Sequence, residues 1–314
     1  MNSYKTPTKI VVTGGSGFFG SHLLKNKAFK EALVIGRTKP HNYSNFKKVC
    51  FISNTNLTKI LNDTDVVVHL AARAHIMNEN IKKPIEEYRR VNTQGTLNLA
   101  KQAAIAGVKR FIFISTIKVL GERTKSDACF KNDNIVNPQD PYSISKYEAE
   151  VGIKLIGENY GMEIVIIRPP LIYGQGVKGN FANLIKLVKL PIFFPIGSIK
   201  NRRSLVSADN LVDLIVVCLN HPKASNQTFL VSDDDDMSTP LLFTRLGKAG
   251  GHSPYIIRFP IPLLYIFFRL LSKLTIFERL VNSMCVDIEH TKLLLNWKPP
   301  FKVEDSFVSC WIND

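Results

Sequence analysis

Three side chains in this sequence have the types and the order that proton transfer to an alcohol or carbonyl oxygen requires. Thr116 follows the apolar run Phe111–Ile114, and Tyr142 and Lys146 come later in the chain, four positions apart. Residues with that spacing share one face of a helix. An adjacent ammonium favours the phenolate and lowers the tyrosine pKa, which is near 10 in a free side chain. With the Thr116 hydroxyl holding a substrate oxygen, the three groups predict an acid–base device for a carbinol or a ketone.

A glycine loop close to the start of the chain predicts a cofactor site. Gly14 would make a tight turn, Gly17 would let the backbone approach a pyrophosphate, and Gly20 would let helix and strand pack closely. The anion would then lie at the N-terminus of a helix that begins with Phe18 and Phe19. The spacing is G-x-x-G-x-x-G. Taken alone, it also fits a glycine-rich turn in another α/β protein.

Apolar runs alternate with helical patterns along the first half of the chain. The predicted strands are Lys9–Val12, Ala32–Ile35, Val49–Ile52, Val66–Leu70, Phe111–Ile114 and Ile164–Ile167, with a late strand at Thr228–Val231. The predicted helices are Gly17–Asn26, Glu87–Ala106, Tyr142–Tyr160 and Asp209–Asn220. This alternation predicts an α/β fold with a Rossmann-type, doubly wound parallel sheet.

The order of these elements also predicts two domains. Residues 1–168 would form the dinucleotide-binding domain, completed by the late strand near 228–231. Most of 169–314 would form a smaller C-terminal substrate-binding lobe. Such a lobe covers the carboxyl edge of the sheet, where ligands of open α/β folds bind.

Composition and charge limit the other classes of function. The chain has 314 residues and a net charge of +15, and its lysines are dispersed rather than gathered in a tail, so we expect no nucleic-acid partner. Asp233–Asp236 is the one dense charge run and is expected to be a solvated loop. The cysteines are scattered without a C-x-x-C pair, so neither a metal site nor a disulfide framework is expected. We expect a cytoplasmic protein, because no apolar leader follows Met1.

The segment 261–274 is very apolar, but Arg269 and Lys273 interrupt it. It is too short to span a bilayer. Two interpretations remain open for it. It is either a helix packed in the core or between lobes, or a basic amphipathic surface that makes peripheral contact with a membrane.

Together these motifs resemble the extended short-chain dehydrogenases/reductases of the NAD-dependent epimerase/dehydratase type. Asp65–Ala72 resembles the family's strand that walls the cofactor, and Asn92–Thr96 resembles its N-x-x-G-T helix. Arg168–Gly174 resembles its R-P-x-x-x-Y-G turn beside the nicotinamide. The resemblance implies that the cofactor contacts include Leu70, Ala71, Ala72, Tyr142, Lys146 and Pro169.

The resemblance also implies roles for the three chemical side chains and for the second half of the chain. Thr116, Tyr142 and Lys146 would be the catalytic triad. The second half would bind a nucleoside diphosphate-sugar, with candidate substrate contacts at Lys118, Asn180, Arg202, Arg203 and Asp287. Met284 stands where relatives often place an arginine on the diphosphate. The family analogy further implies a homodimer.

The cofactor and the reaction each keep alternatives. Arg37 ends the second predicted strand where NAD-preferring members carry an acid, and an arginine there accepts a 2′-phosphate, so NAD and NADP both remain open.

Several sequence strings are similar to a branch that acts on UDP-N-acetylated 6-deoxy sugars. The leading expectation is reduction of a UDP-4-keto-6-deoxy-N-acetylhexosamine to UDP-N-acetylquinovosamine for surface polysaccharide. The alternative is a 4-epimerase of UDP-glucose or UDP-N-acetylglucosamine, and a non-catalytic dinucleotide sensor is more remote. Ile117 stands where the family's dehydratases carry an acid.

Overall fold

The structure is a computed structural model that describes residues 9–50, 55–73, 84–125 and 128–312. Its strands are β1 (Ile10–Thr13), β2 (Leu33–Gly36), β3 (Phe46–Lys48), β4 (Val66–His69), β5 (Arg110–Ile114), β6 (Glu163–Arg168), β7 (Leu171–Tyr173), β8 (Phe193–Phe194), β9 (Leu205–Ser207), β10 (Gln227–Leu230) and β11 (Tyr255–Ile256). The main sheet has seven strands in the order β10-β6-β5-β4-β1-β2-β3. All its neighbouring strands pair in parallel, which confirms the predicted doubly wound fold.

Helices cover both faces of this sheet and build the smaller lobe. They are α1 (Phe18–Lys25), α2 (Thr58–Leu61), α3 (Pro84–Tyr88), α4 (Gly95–Ile105), α5 (Pro141–Tyr160), α6 (Asn180–Val188), α7 (Ala208–Asn220), α8 (Thr239–Ala249), α9 (Ile261–Leu270), α10 (Leu274–Val281), α11 (Glu289–Leu295) and α12 (Val303–Ser309). A π-helical turn at Arg89–Gln94 joins α3 to α4, so the predicted helix Glu87–Ala106 is divided into segments.

The continuous apolar strands fold as they do because both faces of the sheet are covered. Successive side chains of a strand point to opposite faces. Val12 packs in the same core as Leu211 of α7. Its neighbour Val11 packs in a second core with Leu99 of α4 and Ala149 of α5. Strands that are buried on both faces have continuous apolar sequences without alternation, and this is why the buried strands could be predicted from the sequence.

One predicted strand was placed wrongly. The edge strand β3 is Phe46–Lys48, whereas the prediction was Val49–Ile52. Val49 and Cys50 are not in a strand, and residues 51 and 52 lie outside the described residues. An edge strand is partly solvated and tolerates charged side chains. Because β3 contains Lys47 and Lys48, it does not form the apolar run by which the other strands were predicted.

The smaller lobe has a hydrophobic core of its own. Phe181, Phe243, Leu246 and Phe307 are buried there, together with Leu264 of α9. The strand pairs β7–β9 and β8–β11 lie outside the main sheet, whereas the late strand β10 joins it beside β6. Within the described part of the chain, every helix is too short or too polar to cross a membrane.

One expectation about this half of the chain was wrong, and another was wrong in part. Cys129 and Cys285 form a disulfide, although they are 156 positions apart and no local spacing signals it. The expectation that the acidic run is a solvated loop holds for Asp234, which is exposed, but is wrong for Asp233. Asp233 is buried and accepts hydrogen bonds from the Ser207 amide and the Tyr173 hydroxyl. Aspartates are charged at neutral pH, so a sequence reading assigns them to solvent, but here the chain supplies partners from other elements.

Candidate active site

The glycine loop between β1 and α1 approaches the end of β4 closely. Gly14 has φ of +75°, and a Cβ there would lie 2.7 Å from the Ala71 amide nitrogen. A Cβ at Gly20 would overlap the Gly14 carbonyl oxygen. The Gly17 amide closes the turn by donating to that carbonyl at 3.1 Å. A side chain at Gly14 would therefore push the loop away from the end of β4, and one at Gly20 would push α1 away from the loop.

This loop opens on a cavity of about 330 Å³. The lining residues that had been predicted as cofactor contacts are Gly14, Gly17, Arg37, Leu70, Ala71 and Ala72. Phe18, Phe19 and Gly20 belong to the first turn of α1, and they are not among the lining residues. Neither are Tyr142, Lys146 and Pro169, which lie further along the carboxyl edge of the sheet. The glycines leave the backbone amides at the start of α1 open to a ligand, and such amides bind a pyrophosphate. The residues of this cavity therefore fit a dinucleotide.

A buried network fixes the end of β4 against the loop. The Thr13 hydroxyl accepts from the Ala71 amide at 3.1 Å and bonds His69 Nδ1 at 2.6 Å. His69 Nε2 bonds the Thr96 hydroxyl at 2.9 Å. Burial, with a smaller effect of the Lys146 charge, lowers the pKa of His69 to about 3. His69 is therefore a neutral supporting residue.

The π-helical turn ties the β4 loop to α5. Asn92 is fully buried, and its amide oxygen accepts from the Arg73 backbone nitrogen at 2.7 Å. Its amide nitrogen donates to the Arg73 carbonyl and to the Ser145 hydroxyl. π-Helical segments occur frequently at functional sites, where they turn a side chain inward. Asn92 thus holds the wall of the cofactor cavity to the helix that carries Tyr142.

Two of the catalytic candidates, Thr116 and Lys146, lie at the carboxyl end of β5. Thr116 is buried, and its hydroxyl accepts from the Lys118 amide at 3.3 Å. The Lys146 ammonium, 1% exposed, donates to the Ile114 carbonyl at 2.7 Å and lies 3.9 Å from the centre of the Phe113 ring. Helix α5 therefore brings Lys146 to the end of this strand.

A charged cap fixes the start of α5, where Tyr142 is the second residue. Asp140 accepts from the Ser143 amide at 2.6 Å, which caps the helix. Its other oxygen accepts from the Lys118 ammonium at 2.6 Å. The Tyr142 ring meets Tyr88 edge-on, with ring centres 6.0 Å apart. Lys118 thus links the Thr116 turn to the helix end that carries Tyr142.

The protonation of Tyr142 and Lys146 differs from the expectation. Burial raises the pKa of Tyr142, and the charges of Asp140 and Tyr88 add to this increase. Burial also lowers the pKa of Lys146 to about 7, although Glu150 opposes the change. The expected lowering of the tyrosine pKa by the lysine is absent from this arrangement, because the ammonium binds the Ile114 carbonyl instead.

Ser115 and Glu150, at the same edge of the sheet, were not identified from the sequence. The Ser115 hydroxyl is buried, and no partner for it occurs among the described residues. Ser115 and Thr116 are adjacent, and the sequence does not indicate which of the two hydroxyls lacks a hydrogen-bond partner in the fold. The Pro169 carbonyl accepts from the Ile117 amide at 2.9 Å, which brings the predicted turn after β6 against the Thr116 turn. Glu150 of α5 also receives two hydrogen bonds from Arg168 of β6, at 3.0 and 2.5 Å.

A second cavity of about 350 Å³ lies beside the Thr116 turn. Its lining is rich in cationic side chains: Lys118, Arg123, Arg203 and Arg279, with Glu122 and Glu278 also present. Burial and the Arg279 charge lower the pKa of Arg203. Cations crowded in this way favour an anion between them. Arg123 and Arg279 were missed, because only the folding of the smaller lobe brings them beside Lys118.

The other predicted substrate contacts do not line this cavity. Asn180 is exposed at the first residue of α6. Arg202 pairs with Asp236 at 2.9 Å. Asp287 accepts from the Glu289 amide at 2.8 Å, beside the Cys129–Cys285 disulfide. Met284, which occupies the family's arginine position, does line the cavity, and Arg203 and Arg279 provide positive charge there.

The parallel sheet, the glycine loop and the groups around β5 define a short-chain dehydrogenase/reductase. The chain belongs to the NAD dependent epimerase/dehydratase family, whose model matches residues 10–232. It is thus an NAD-dependent enzyme of the nucleotide-sugar epimerase type.

Individual relatives match almost the whole chain. A protein of Vibrio cholerae named UDP-glucose 4-epimerase is 45% identical over 309 residues, which are 96% of this chain and 94% of that protein. The N-acetyl-alpha-D-glucosaminyl-diphospho-ditrans,octacis-undecaprenol 4-epimerase of Escherichia coli O157:H7 is 27% identical over 88% of this chain and 84% of its own length. The fold is similar to UDP-glucuronic acid 4-epimerase from Bacillus cereus in complex with NAD, with a TM-score of 0.74, 24% identity and coverage of 96% and 97% of the two chains.

Proposed function

We propose that this protein is an NAD-dependent 4-epimerase of a UDP-hexose. The observation that carries the proposal is that Thr116 and Lys146 lie together at the carboxyl end of β5, while Tyr142 lies at the start of α5 beside the Asp140–Lys118 pair. The Vibrio relative, similar over nearly its full length, supports epimerisation over the reduction of a 4-keto-6-deoxy sugar that the sequence strings favoured. We therefore place the reductase second.

The proposed reaction removes and returns a hydrogen at C4 of the sugar. When bound, the cofactor would supply the hydride acceptor and donor for C4, and the keto sugar would have to rotate between the two transfers for the hydrogen to return to the opposite face. Tyr142 takes the O4 proton as the C4–H bond breaks and returns it as the alcohol re-forms. The Thr116 hydroxyl orients O4. The Lys146 ammonium would hold the nicotinamide ribose, and for this it would have to leave the Ile114 carbonyl or be shared with it.

The cationic cavity suits the rest of the substrate. Arg203 and Arg279 would bind the diphosphate, because guanidinium groups form paired hydrogen bonds with phosphate oxygens. Lys118 lies two residues from Thr116 and is positioned to meet the sugar. Asn180, Arg202 and Asp287 would reach a ligand only if the smaller lobe closed or their present pairs opened.

The reaction is tested with the purified protein and NAD. We expect UDP-glucose or UDP-N-acetylglucosamine to be converted to its C4 epimer without a net change in nicotinamide absorbance. Nuclear magnetic resonance of the sugar identifies the product. Stoichiometric loss of reduced nicotinamide with UDP-4-keto-6-deoxy-N-acetylglucosamine, and no epimer from either hexose, would instead establish the reductase.

Arg37 tests the preference between the two cofactors. Its side chain is exposed and lines the dinucleotide cavity, where it would meet a 2′-phosphate. We expect Arg37→Asp to weaken NADPH binding by roughly tenfold while NADH binding changes little, as one charged hydrogen bond is lost. Lys39→Asp is the matched control, because Lys39 is exposed nearby but does not line the cavity. An unchanged NADPH/NADH ratio would remove Arg37 from the site.

A further inference from the structure

Helices α9 and α10, with the connection between them, form an apolar hairpin over residues 261–281. One side of α9 exposes a stripe of large apolar side chains that recurs at helical spacing. Leu263 is 51% exposed, Phe267 is 55% exposed and Leu270 is 80% exposed, and Ile266 lies on the same stripe. Soluble monomers rarely expose a contiguous apolar surface of this kind unless it meets a partner or a membrane.

The opposite side of the hairpin is already packed. Leu264 is 2% exposed in the core of the smaller lobe, and Phe268 and Phe277 pack against that core. The Tyr265 and Phe277 rings meet edge-on, with centres 5.5 Å apart, which joins α9 to α10. The hairpin therefore has a fixed inner face, and its exposed stripe is an additional outer face.

More apolar surface precedes the hairpin in the chain. Phe193 is 68% exposed and Tyr255 is 56% exposed, and these two residues pair directly between β8 and β11. Their ring centres lie 5.6 Å apart. Ile257, which follows β11 and leads towards α9, is also exposed. Aromatic side chains of this kind are enriched where a protein meets the membrane interface.

The charge around α9 has one sign, and the first acid of the hairpin is Glu278 in α10. No aspartate or glutamate occurs between Asp236 and Glu278, and that stretch carries Arg245, Lys248, Arg258, Arg269 and Lys273. Arg245 is engaged with Asp235 and Glu304, whereas Arg258, Arg269 and Lys273 are exposed next to the apolar stripe. This local excess of positive charge is complementary to an anionic surface, and it attracts acidic lipids within about a Debye length.

We propose that the apolar hairpin docks this protein on the surface of an anionic lipid bilayer. Helix α9 has ten residues, too few to span a membrane but suited to lie in the interface with its apolar side in the acyl boundary. Thr275 and Arg279 of α10 line the cationic cavity. Docking therefore brings the cavity close to the bilayer.

Vesicle flotation tests the docking. The probes are vesicles of phosphatidylcholine alone and of phosphatidylcholine mixed with phosphatidylglycerol. We expect the full chain to float with the mixed vesicles, to float less at high salt, and to bind poorly to neutral vesicles. Leu270→Glu should weaken binding by roughly tenfold or more, because a leucine side chain leaves the apolar phase. Arg269→Gln with Lys273→Gln should weaken it roughly fivefold for each charge lost.

Leu293→Glu is the matched control, because Leu293 lies on α11 and is 78% exposed, nearly as much as Leu270. That variant should float like the unchanged protein. Circular dichroism and the unfolding temperature establish that each variant is folded, and neither measurement depends on the proposed enzymatic activity. Absence of the unchanged protein from the floating fraction would overturn the proposal, as would flotation unaffected by Leu270→Glu. A Leu270→Glu variant that turns a dimer into a monomer, without any vesicle binding by the parent, would assign the surface to a second copy of the chain.

Discussion

Tyr142 depends on its surroundings for its chemistry, because burial raises the pKa of its phenol. A phenol that keeps its proton donates to a carbonyl oxygen readily, but it needs help to accept a proton from an alcohol. In the proposed reaction that help comes from the Lys146 ammonium, which must therefore be in reach of the phenol when both ligands are bound.

Replacing Tyr142 by phenylalanine tests this role at the level of one oxygen atom. We expect Tyr142→Phe to keep dinucleotide binding, since the ring and helix remain, and to lose turnover by roughly a hundredfold or more. The measurements are nicotinamide binding by fluorescence and kcat for the epimerisation. Tyr147→Phe is the control, because Tyr147 is on the same helix and packs against the core. Near-normal turnover by the Tyr142 variant would exclude the phenol as the acid–base group.

The burial of Lys146 should make the free energy of unfolding depend on pH. Burial lowers the pKa of Lys146 to about 7 in the folded protein, against 10.5 for an ordinary lysine. The folded protein thus binds fewer protons than the unfolded chain between these values, and the free energy of unfolding rises with pH across that window. Below pH 7 the burial cost is fully present, and above about 10.5 it disappears.

We therefore expect Lys146→Met to be more stable than the parent by up to roughly 5 kcal/mol below pH 7, because the pKa falls from 10.5 to about 7 and each pKa unit corresponds to about 1.4 kcal/mol. The difference should shrink steadily towards pH 10, and turnover should be lost. Chemical denaturation at several pH values measures both trends. Lys154→Met, at an exposed position of the same helix, should show neither. A stability difference that is the same at all pH values would contradict the burial argument.

At the scale of elements, the start of α5 is where several parts of the site are joined. Asp140 caps the helix through Ser143 and binds Lys118, which in turn contacts the Thr116 hydroxyl. Burial raises the pKa of Asp140, but the hydrogen bonds from Lys118 and Ser143 outweigh it, so the net pKa is lowered. The cap therefore works in its charged form at neutral pH.

Asp140→Ala should lower the free energy of unfolding by about 1–2 kcal/mol, the usual cost of losing a helix N-cap. It should also raise KM for the sugar nucleotide, since Lys118 loses the partner that holds it. Asp133→Ala is the control, as Asp133 is an exposed acid in a loop of the same segment. Unfolding by urea measures the free energy of unfolding, and steady-state kinetics measure KM for the sugar nucleotide. Unchanged stability would mean that Ser143 alone suffices as the cap.

The elements also show what the sequence could predict and why. Buried strands such as β4 and β5 and the long helix α5 carry strong local patterns, and the glycine loop carries the steric demands of its own turn. The edge strand β3, the Cys129–Cys285 disulfide and the partners of Asp233 depend on contacts between distant segments. The same holds for the cationic cavity, where Arg123 and Arg279 meet Lys118 only after the smaller lobe has folded.

At the scale of the whole molecule, the main domain presents its own exposed apolar face. Val151 and Leu155 of α5 are 42% and 55% exposed, and Ile105 at the end of α4 is 58% exposed. Val151 and Leu155 are four positions apart, so they share one side of α5, away from the buried Ala149 and Ile153. The predicted homodimer would bury this face by pairing α4 and α5 with their copies.

The dimer can be tested separately from membrane docking, because the two apolar surfaces lie on different elements. We expect the parent chain to be a dimer by light scattering after gel filtration, and Leu155→Glu to shift it to monomer by placing a charge in an apolar contact. Leu270→Glu should leave the dimer intact, and Leu155→Glu should still float with anionic vesicles, with an affinity lowered only by the loss of the second docking hairpin. A parent chain that is monomeric at all concentrations would show that the α4–α5 face has another occupant, whereas loss of the dimer in both variants would mean that the hairpin takes part in pairing the subunits.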